Sequence, residues 1–121
     1  MKQMQINRAY AALSRLLNIP LPASEAYGVY MLAKKLESNY TFELEQQKKM
    51  VEKYDGTINE DGSIVFTNKE NSINFQQEID ELANIEVVLD IDPIVVECAH
   101  LDGHKITPID MYNLDGFVVF K

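Results

Sequence analysis

Five residues whose side chains could bind a metal ion or act in catalysis lie close together near the C-terminal end of the chain: Glu97, Cys98, His100, Asp102 and His104. Two imidazoles four residues apart could meet one divalent cation, and zinc accepts nitrogen, sulfur and oxygen ligands. A zinc site needs ligand spacing that a turn or helix fixes, and this segment matches no established ligand pattern. Glu97, His100, Asp102 and His104 are therefore weak metal candidates, and a solvated loop is the competing interpretation.

The rest of the chain offers little to a catalytic reading. It contains no Ser-His-Asp pattern, glycine-rich phosphate loop or nucleotide fingerprint. Cys98 alternates with Val96 and Ile94, which is typical of a small buried residue. As the single cysteine, it also excludes an intrachain disulfide. The sequence predicts no catalytic residue and no cofactor, and we expect a protein that is not an enzyme.

Two helices should form the N-terminal half. Apolar residues at spacings of three and four predict a first helix over 5–17, which Pro20 and Pro22 end. The second is expected from Ser24 to about Tyr54, or roughly 46 Å at 1.5 Å per residue. A compact domain of this size measures only about 35 Å across. The long helix must therefore either kink, near residues 38–39, or project toward a partner.

The second half mixes strands and short helices. The sequence predicts a hairpin over 57–67 around Asp61-Gly62, an extended stretch from Glu86 to Cys98 and a strand over 117–120. Helices are expected over about 70–84 and from Thr107 to Leu114. We expect one α+β domain over residues 1–121, with an antiparallel helix pair, a small mostly antiparallel sheet and a short C-terminal helix. The predicted core contains Leu13, Leu16, Leu17, Ala33, Leu36, Ile79, Leu82, Leu89 and Ile91.

The far half of the long helix is the candidate contact surface. Tyr40, Leu44, Val51 and Tyr54 recur at helical spacing, interrupted only at Gln47. Contiguous apolar patches are uncommon on the surface of monomers. We therefore expect these four residues to contact another chain, either a second copy in a symmetric dimer or a foreign protein. A helix that folds back on its own sheet is the alternative.

Charge is distributed unevenly. Residues 1–54 hold eight Lys or Arg and five Asp or Glu, whereas residues 55–121 hold three and fourteen, for a net charge of -8. An acidic half repels nucleic acid and anionic membranes. The basic residues of the long helix alternate with glutamates, which also makes nucleic acid an unlikely partner. They are Lys34, Lys35, Lys48, Lys49 and Lys53.

An ordered set of motifs over roughly residues 10–115 resembles a family of small uncharacterised proteins of tailed phages and prophages of Gram-positive bacteria. The motifs are Leu21-Pro22-Ala23, Ala26-Tyr27, Leu36-Glu37, the run from Met50 to Tyr54, Asp61-Gly62, the run from Phe75 to Leu82, Ile85-Glu86-Val87 and Ile106-Thr107-Pro108. The chain departs from the family pattern at 100–104. The resemblance implies a phage or prophage product in the cytoplasm of a bacterial host cell and carries over no catalytic residue.

Three functions remain open at this stage. The first is a non-enzymatic phage accessory protein that binds other proteins, in virion assembly or packaging or in control of a host factor. The second is an acidic inhibitor that mimics nucleic acid and blocks a basic host protein. The third is a small metal-dependent enzyme that uses the acidic C-terminal half. The sequence contains no run of apolar residues long enough to cross a membrane, so we expect no membrane partner.

Overall fold

The computed structural model describes residues 1–121, of which 58% are helical. This confirms the predicted α+β class, with the N-terminal helix pair and the short C-terminal helix in place. None of the helices combines the length and the apolar character needed to cross a bilayer. The helices are α1 (Gln3–Leu16), α2 (Ala23–Lys53), α3 (Lys69–Ala83) and α4 (Pro108–Asn113), with a 3₁₀ helix over Cys98–Leu101, and the strands are β1 (Thr57–Ile58), β2 (Ile64–Val65), β3 (Ile94–Val96) and β4 (Val118–Phe120).

The long helix forms as predicted and continues through residues 38–39 without interruption. It begins one residue before the predicted start, with Pro22 at the N-cap. Its end is a tight C-cap in which the Gly56 N–H donates to the Val51 carbonyl at 2.8 Å. Asp55 takes the left-handed conformation there, at φ 54°. Gly56 is required for a different reason, since a Cβ on it would lie 2.8 Å from the Phe66 ring.

The strands form two separate pairs rather than one mostly antiparallel sheet. β1 and β2 make the predicted antiparallel hairpin, with Ile58 opposite Ile64. β3 pairs with β4 in parallel, with Val95 opposite Val119. The chain between these two strands passes through the 3₁₀ helix and α4, and a helical crossover of this length brings a strand back in the same direction. The expected antiparallel arrangement is therefore wrong for this pair.

The stretch before Pro93 is extended but joins no strand ladder. Its alternation is real, because Val87, Leu89 and Ile91 pack against the core while Val88 is 97% exposed. Its single strand pairing is an isolated bridge between Glu86 and Lys2, which is too short to make a ladder. The alternation of apolar residues therefore indicates which side chains face the core, but not which backbone groups are hydrogen-bonded to another strand.

The main core joins the two ends of the sequence. Its fifteen buried residues come from 6–36 and from 96–118. Of the predicted core, Leu13, Leu16, Ala33, Leu36 and Leu82 are buried. Ile79, Leu89 and Ile91 are half-buried. Leu17 is 47% exposed, at the C-cap where α1 ends.

An ion pair fixes α4 against α1. Asp110 is 2% exposed, and one oxygen of its carboxylate accepts from the Arg15 guanidinium. The other oxygen accepts from the Thr107 N–H at 3.2 Å, while the Asp110 N–H donates to the Thr107 hydroxyl at 3.3 Å. These two hydrogen bonds form a capping box at the start of α4. The buried carboxylate is thus paired on both of its oxygens.

Candidate functional site

The structure assigns the predicted contact stripe on α2 mainly to contacts within the chain. Tyr40 is half-buried and stacks on Tyr10 of α1, with ring centroids 4.3 Å apart. Val51 is only 5% exposed. Tyr54 is half-buried at the C-cap, and Leu44 remains 41% exposed. The stripe does not form one open surface.

Val51 is covered by its own chain and offers little surface to a partner. The hairpin turns back beside the end of α2, so that a Cβ placed on Gly56 would lie 3.1 Å from Val51 Cγ1 and 3.2 Å from Phe66 Cδ1. Phe66 in turn lies against Phe75 of α3, with centroids 4.9 Å apart. The rest of the domain therefore extends far enough to cover part of the far half of α2. The hairpin and α3 cover one side of it.

A polar layer lies at the N-terminal end of α1, where its contact with α2 ends. Gln3 is 2% exposed, and its amide donates to the Asn39 carbonyl at 2.9 Å and to Asn7 Oδ1 at 3.1 Å. Gln47 donates to Glu43 at 3.2 Å. Burial raises the pKa of the Glu43 carboxyl, and hydrogen bonds from Gln47 and Asn7 oppose part of that rise. The interruption of the stripe at Gln47 therefore reflects an internal network, not an exposed face.

An open groove lies on the neighbouring face of α2, between α2 and α3. Four apolar side chains line it together with five polar ones, and its volume is about 480 Å³. Phe42 and Ile85 are each 46% exposed, whereas Leu82 is 5% exposed and Met50 is half-buried. We call this feature the α2–α3 groove; its lining is Phe42, Gln46, Lys49, Met50, Lys53, Glu78, Glu81, Leu82 and Ile85.

The two walls of the α2–α3 groove carry opposite charges. Lys49 and Lys53 lie on α2, and Glu78 and Glu81 lie on α3. Lys53 Nζ and Glu78 Oε1 pair at 2.7 Å, and this hydrogen bond raises the pKa of Lys53 and lowers the pKa of Glu78. Lys49 and Glu81 form no ion pair within the chain. The groove thus retains one unpaired charge of each sign.

Sequence reasoning missed the groove, although a signal was present. Phe42, Gln46, Lys49 and Lys53 follow one another at steps of four, three and four, which places them on one face of α2. Only one of them is apolar, so a search for an apolar stripe passes over this face. The partner wall comes from α3, and nothing local in the sequence shows which face of α2 that helix meets.

The four metal candidates do not come together. His100 Nδ1 lies 2.6 Å from Glu25 Oε2, and His100 Nε2 lies 3.6 Å from Glu97 Oε2. Glu25 also accepts from the Glu97 N–H at 2.8 Å, so it holds this segment on the start of α2. No group of three or more His, Cys, Asp or Glu side chains is arranged to hold a metal ion. Cys98, predicted to be buried, is exposed.

His104 faces a different part of the surface. It lines an open cleft of about 560 Å³ between the end of α1 and the start of α4, together with Arg15 and Lys105. Arg15 is paired with Asp110, which also lines the cleft, so Lys105 is the unpaired positive charge beside His104 and opposes the binding of a cation there. Asp102 forms no ion pair or side-chain hydrogen bond with His100 or His104. The proposed set of Glu97, His100, Asp102 and His104 is thus divided between two places.

Comparison with known proteins adds no relative. No family model matches the chain, and neither a curated protein nor a solved structure is significantly similar to it. The phage resemblance thus depends on the sequence motifs alone.

Proposed function

We propose that the protein acts without catalysis, by binding another protein chain in the α2–α3 groove. The observation that carries this proposal is the exposure of Phe42 and Ile85, each 46%, on the walls of an open groove that apolar and charged side chains line together. Apolar grooves between helices are a recurrent way of binding a helical segment of a partner. Covering these side chains would stabilise the complex by about 25 cal/mol for every Å² of apolar surface removed from water.

The same observation refines the sequence hypothesis. The far half of α2 keeps its role as the contact surface, but the contact face turns from that of Val51 to that of Phe42. Leu44, 41% exposed, lies on the opposite flank of the helix from Phe42 and does not line the groove. We infer that Phe42 is the central anchor, since aromatic side chains dominate the energetics of protein interfaces.

The biological setting follows from the motif resemblance. On that basis we place the protein in the cytoplasm of a bacterial host cell, as a phage or prophage accessory protein in virion assembly or packaging or in control of a host factor. The acidic character of the second half, with three lysines against fourteen Asp and Glu, suits a protein partner better than nucleic acid.

Site-specific photo-crosslinking tests the proposed surface. A benzophenone amino acid at position 42 should give a covalent adduct with a protein in bacterial cells producing the chain. The same probe at Thr41, an exposed neighbour outside the groove, should give none. Circular dichroism checks that both variants fold. The absence of an adduct at position 42, or equal adducts at both positions, would contradict the proposal.

A further inference from the structure

The partner that best fits the α2–α3 groove is a second copy of the same chain. This inference rests on the proposed function and identifies the occupant of that surface. We propose that two copies pack groove to groove, so that α2 and α3 of each form an antiparallel four-helix bundle.

Charge complementarity carries the choice of occupant. The α2 wall is basic through Lys49 and Lys53, and the α3 wall is acidic through Glu78 and Glu81. A two-fold axis along the groove places the α2 wall of each copy over the α3 wall of the other. A foreign helix of uniform charge would meet a wall of like charge on one side. The groove is complementary to itself, as an isologous interface requires.

The unpaired charges fit the same arrangement. Lys53 and Glu78 already pair at 2.7 Å within the chain. Lys49, one turn before Lys53 on α2, and Glu81, about one turn after Glu78 on α3, have no intrachain ion-pair partner. They lie on opposite walls of the groove, so the two-fold axis brings Lys49 of each copy to Glu81 of the other. Each dimer then gains two intermolecular ion pairs.

The direction of the helices suits a bundle. α2 and α3 run antiparallel, because Lys53 contacts Glu78 while the groove extends toward Phe42 on α2 and Ile85 beyond α3. The proposed axis places each helix between two antiparallel neighbours, which is the usual order in four-helix bundles. The bundle core would consist of Phe42, Met50, Leu82 and Ile85 from both copies. It would extend over about 17 Å of α2, between residues 42 and 53.

Sedimentation velocity over a micromolar concentration series tests the inference on the whole chain. The wild-type mass should rise from 13.8 kDa toward twice that value as the concentration increases. Lys49→Glu or Glu81→Lys alone should each weaken the dimer about tenfold, or about 1.4 kcal/mol, because each replaces two weak surface attractions with two weak repulsions. The double swap Lys49→Glu/Glu81→Lys should recover the wild-type affinity to within about threefold, since opposite charges again meet across the interface.

Two matched variants control for net charge. Lys48→Glu changes an exposed lysine beside Lys49 that lies outside the groove, and Glu70→Lys changes an exposed glutamate in the first turn of α3. Both should dimerise as the wild type does. A wild-type chain that stays at 13.8 kDa across the series overturns the inference, as does a dimer whose double swap fails to recover. A position-42 adduct with a different protein, combined with a monomeric chain, overturns the second copy and leaves the proposed function standing.

Discussion

Tyr10 of α1 stacks on Tyr40 of α2 at 4.3 Å, with the two rings inclined by 22°. This pair closes the apolar part of the helix contact beside a polar layer of amide and carboxyl groups. It also explains why an aromatic residue in the middle of the long helix is not available to a partner. Tyr40, which the sequence predicts as a partner contact, already packs against Tyr10 of the same chain.

The tyrosine stack should contribute measurably to stability. We expect a double-mutant cycle of Tyr10→Leu and Tyr40→Leu to give a coupling free energy of about 0.5–1.5 kcal/mol, since offset aromatic pairs add this much beyond area burial. Urea denaturation of the four proteins measures it. Tyr27→Leu, which changes a tyrosine 64% exposed on the outer face of α2, should change the free energy of unfolding little. A coupling indistinguishable from zero would contradict the interpretation of the stack.

Alanine substitutions at two buried leucines test the packing of the main core and of the α2–α3 contact separately. Leu36 is 0% exposed in the main core, and Leu82 is 5% exposed beneath the α2–α3 groove. Changing either one to alanine should lower the free energy of unfolding by about 2–5 kcal/mol, through lost burial and the cavity that remains. Leu17→Ala, at a position 47% exposed, should cost far less. Equal effects for all three variants would mean that the burial pattern is incorrect.

Glu43→Gln should stabilise the protein in a pH-dependent way. The folded-state pKa of Glu43 is raised by burial, so the folded chain binds this proton more tightly than the unfolded chain. Its contribution to stability is therefore most favourable below the ordinary value of 4.5 and declines as the pH rises through the folded-state pKa. The glutamine keeps an oxygen that can accept from Gln47 and lacks the charge.

Thermal melting across a pH series measures this effect. At neutral pH the variant should melt above the wild type, and the difference should close as the pH falls below 4.5. Glu45→Gln, an exposed position on the same helix, serves as the control. If the Glu43 difference is instead constant with pH, the desolvated carboxyl is not its cause.

Glu25 should act as a structural anchor and not as a metal ligand. Its carboxylate accepts from the Glu97 N–H at 2.8 Å and lies 2.6 Å from the His100 ring. Glu25→Ala leaves these groups without their partner, and we expect a loss of about 1–3 kcal/mol in the free energy of unfolding. Asp102→Ala, which removes an exposed carboxyl from the same segment, should be nearly neutral. Zinc that raised the wild-type melting temperature and not that of Glu25→Ala would instead indicate a metal site.

Local pattern predicted the elements well, and tertiary relations only in part. The end of α2 near Tyr54 and the start of α4 at Thr107 depend on chemistry within a few residues, and both formed where expected, while α2 begins one residue before its predicted start. The parallel pairing of β3 with β4 depends on a crossover through α4, which no local pattern shows.

The candidate site shows the same division. Helix length and spacing predict a contact surface on the far half of α2, but they do not show that the hairpin and α3 fold back onto the side that carries Val51. Which face of a helix stays open is decided by elements distant in sequence. Helical periodicity of apolar residues indicates that a stripe is covered, but not whether the same chain or a partner covers it.

The discontinuous core has a consequence for synthesis on the ribosome. The apolar face of α1 and α2 is completed by Val96, Leu114 and Val118, which are translated only after α3. The end of α2, the hairpin and α3 are neighbours in sequence and can associate as soon as they emerge, since short loops close early and at low entropic cost. The middle of this chain can therefore acquire structure before its beginning does. Until β4 is made, the first two helices present an uncovered apolar face that a chaperone could hold.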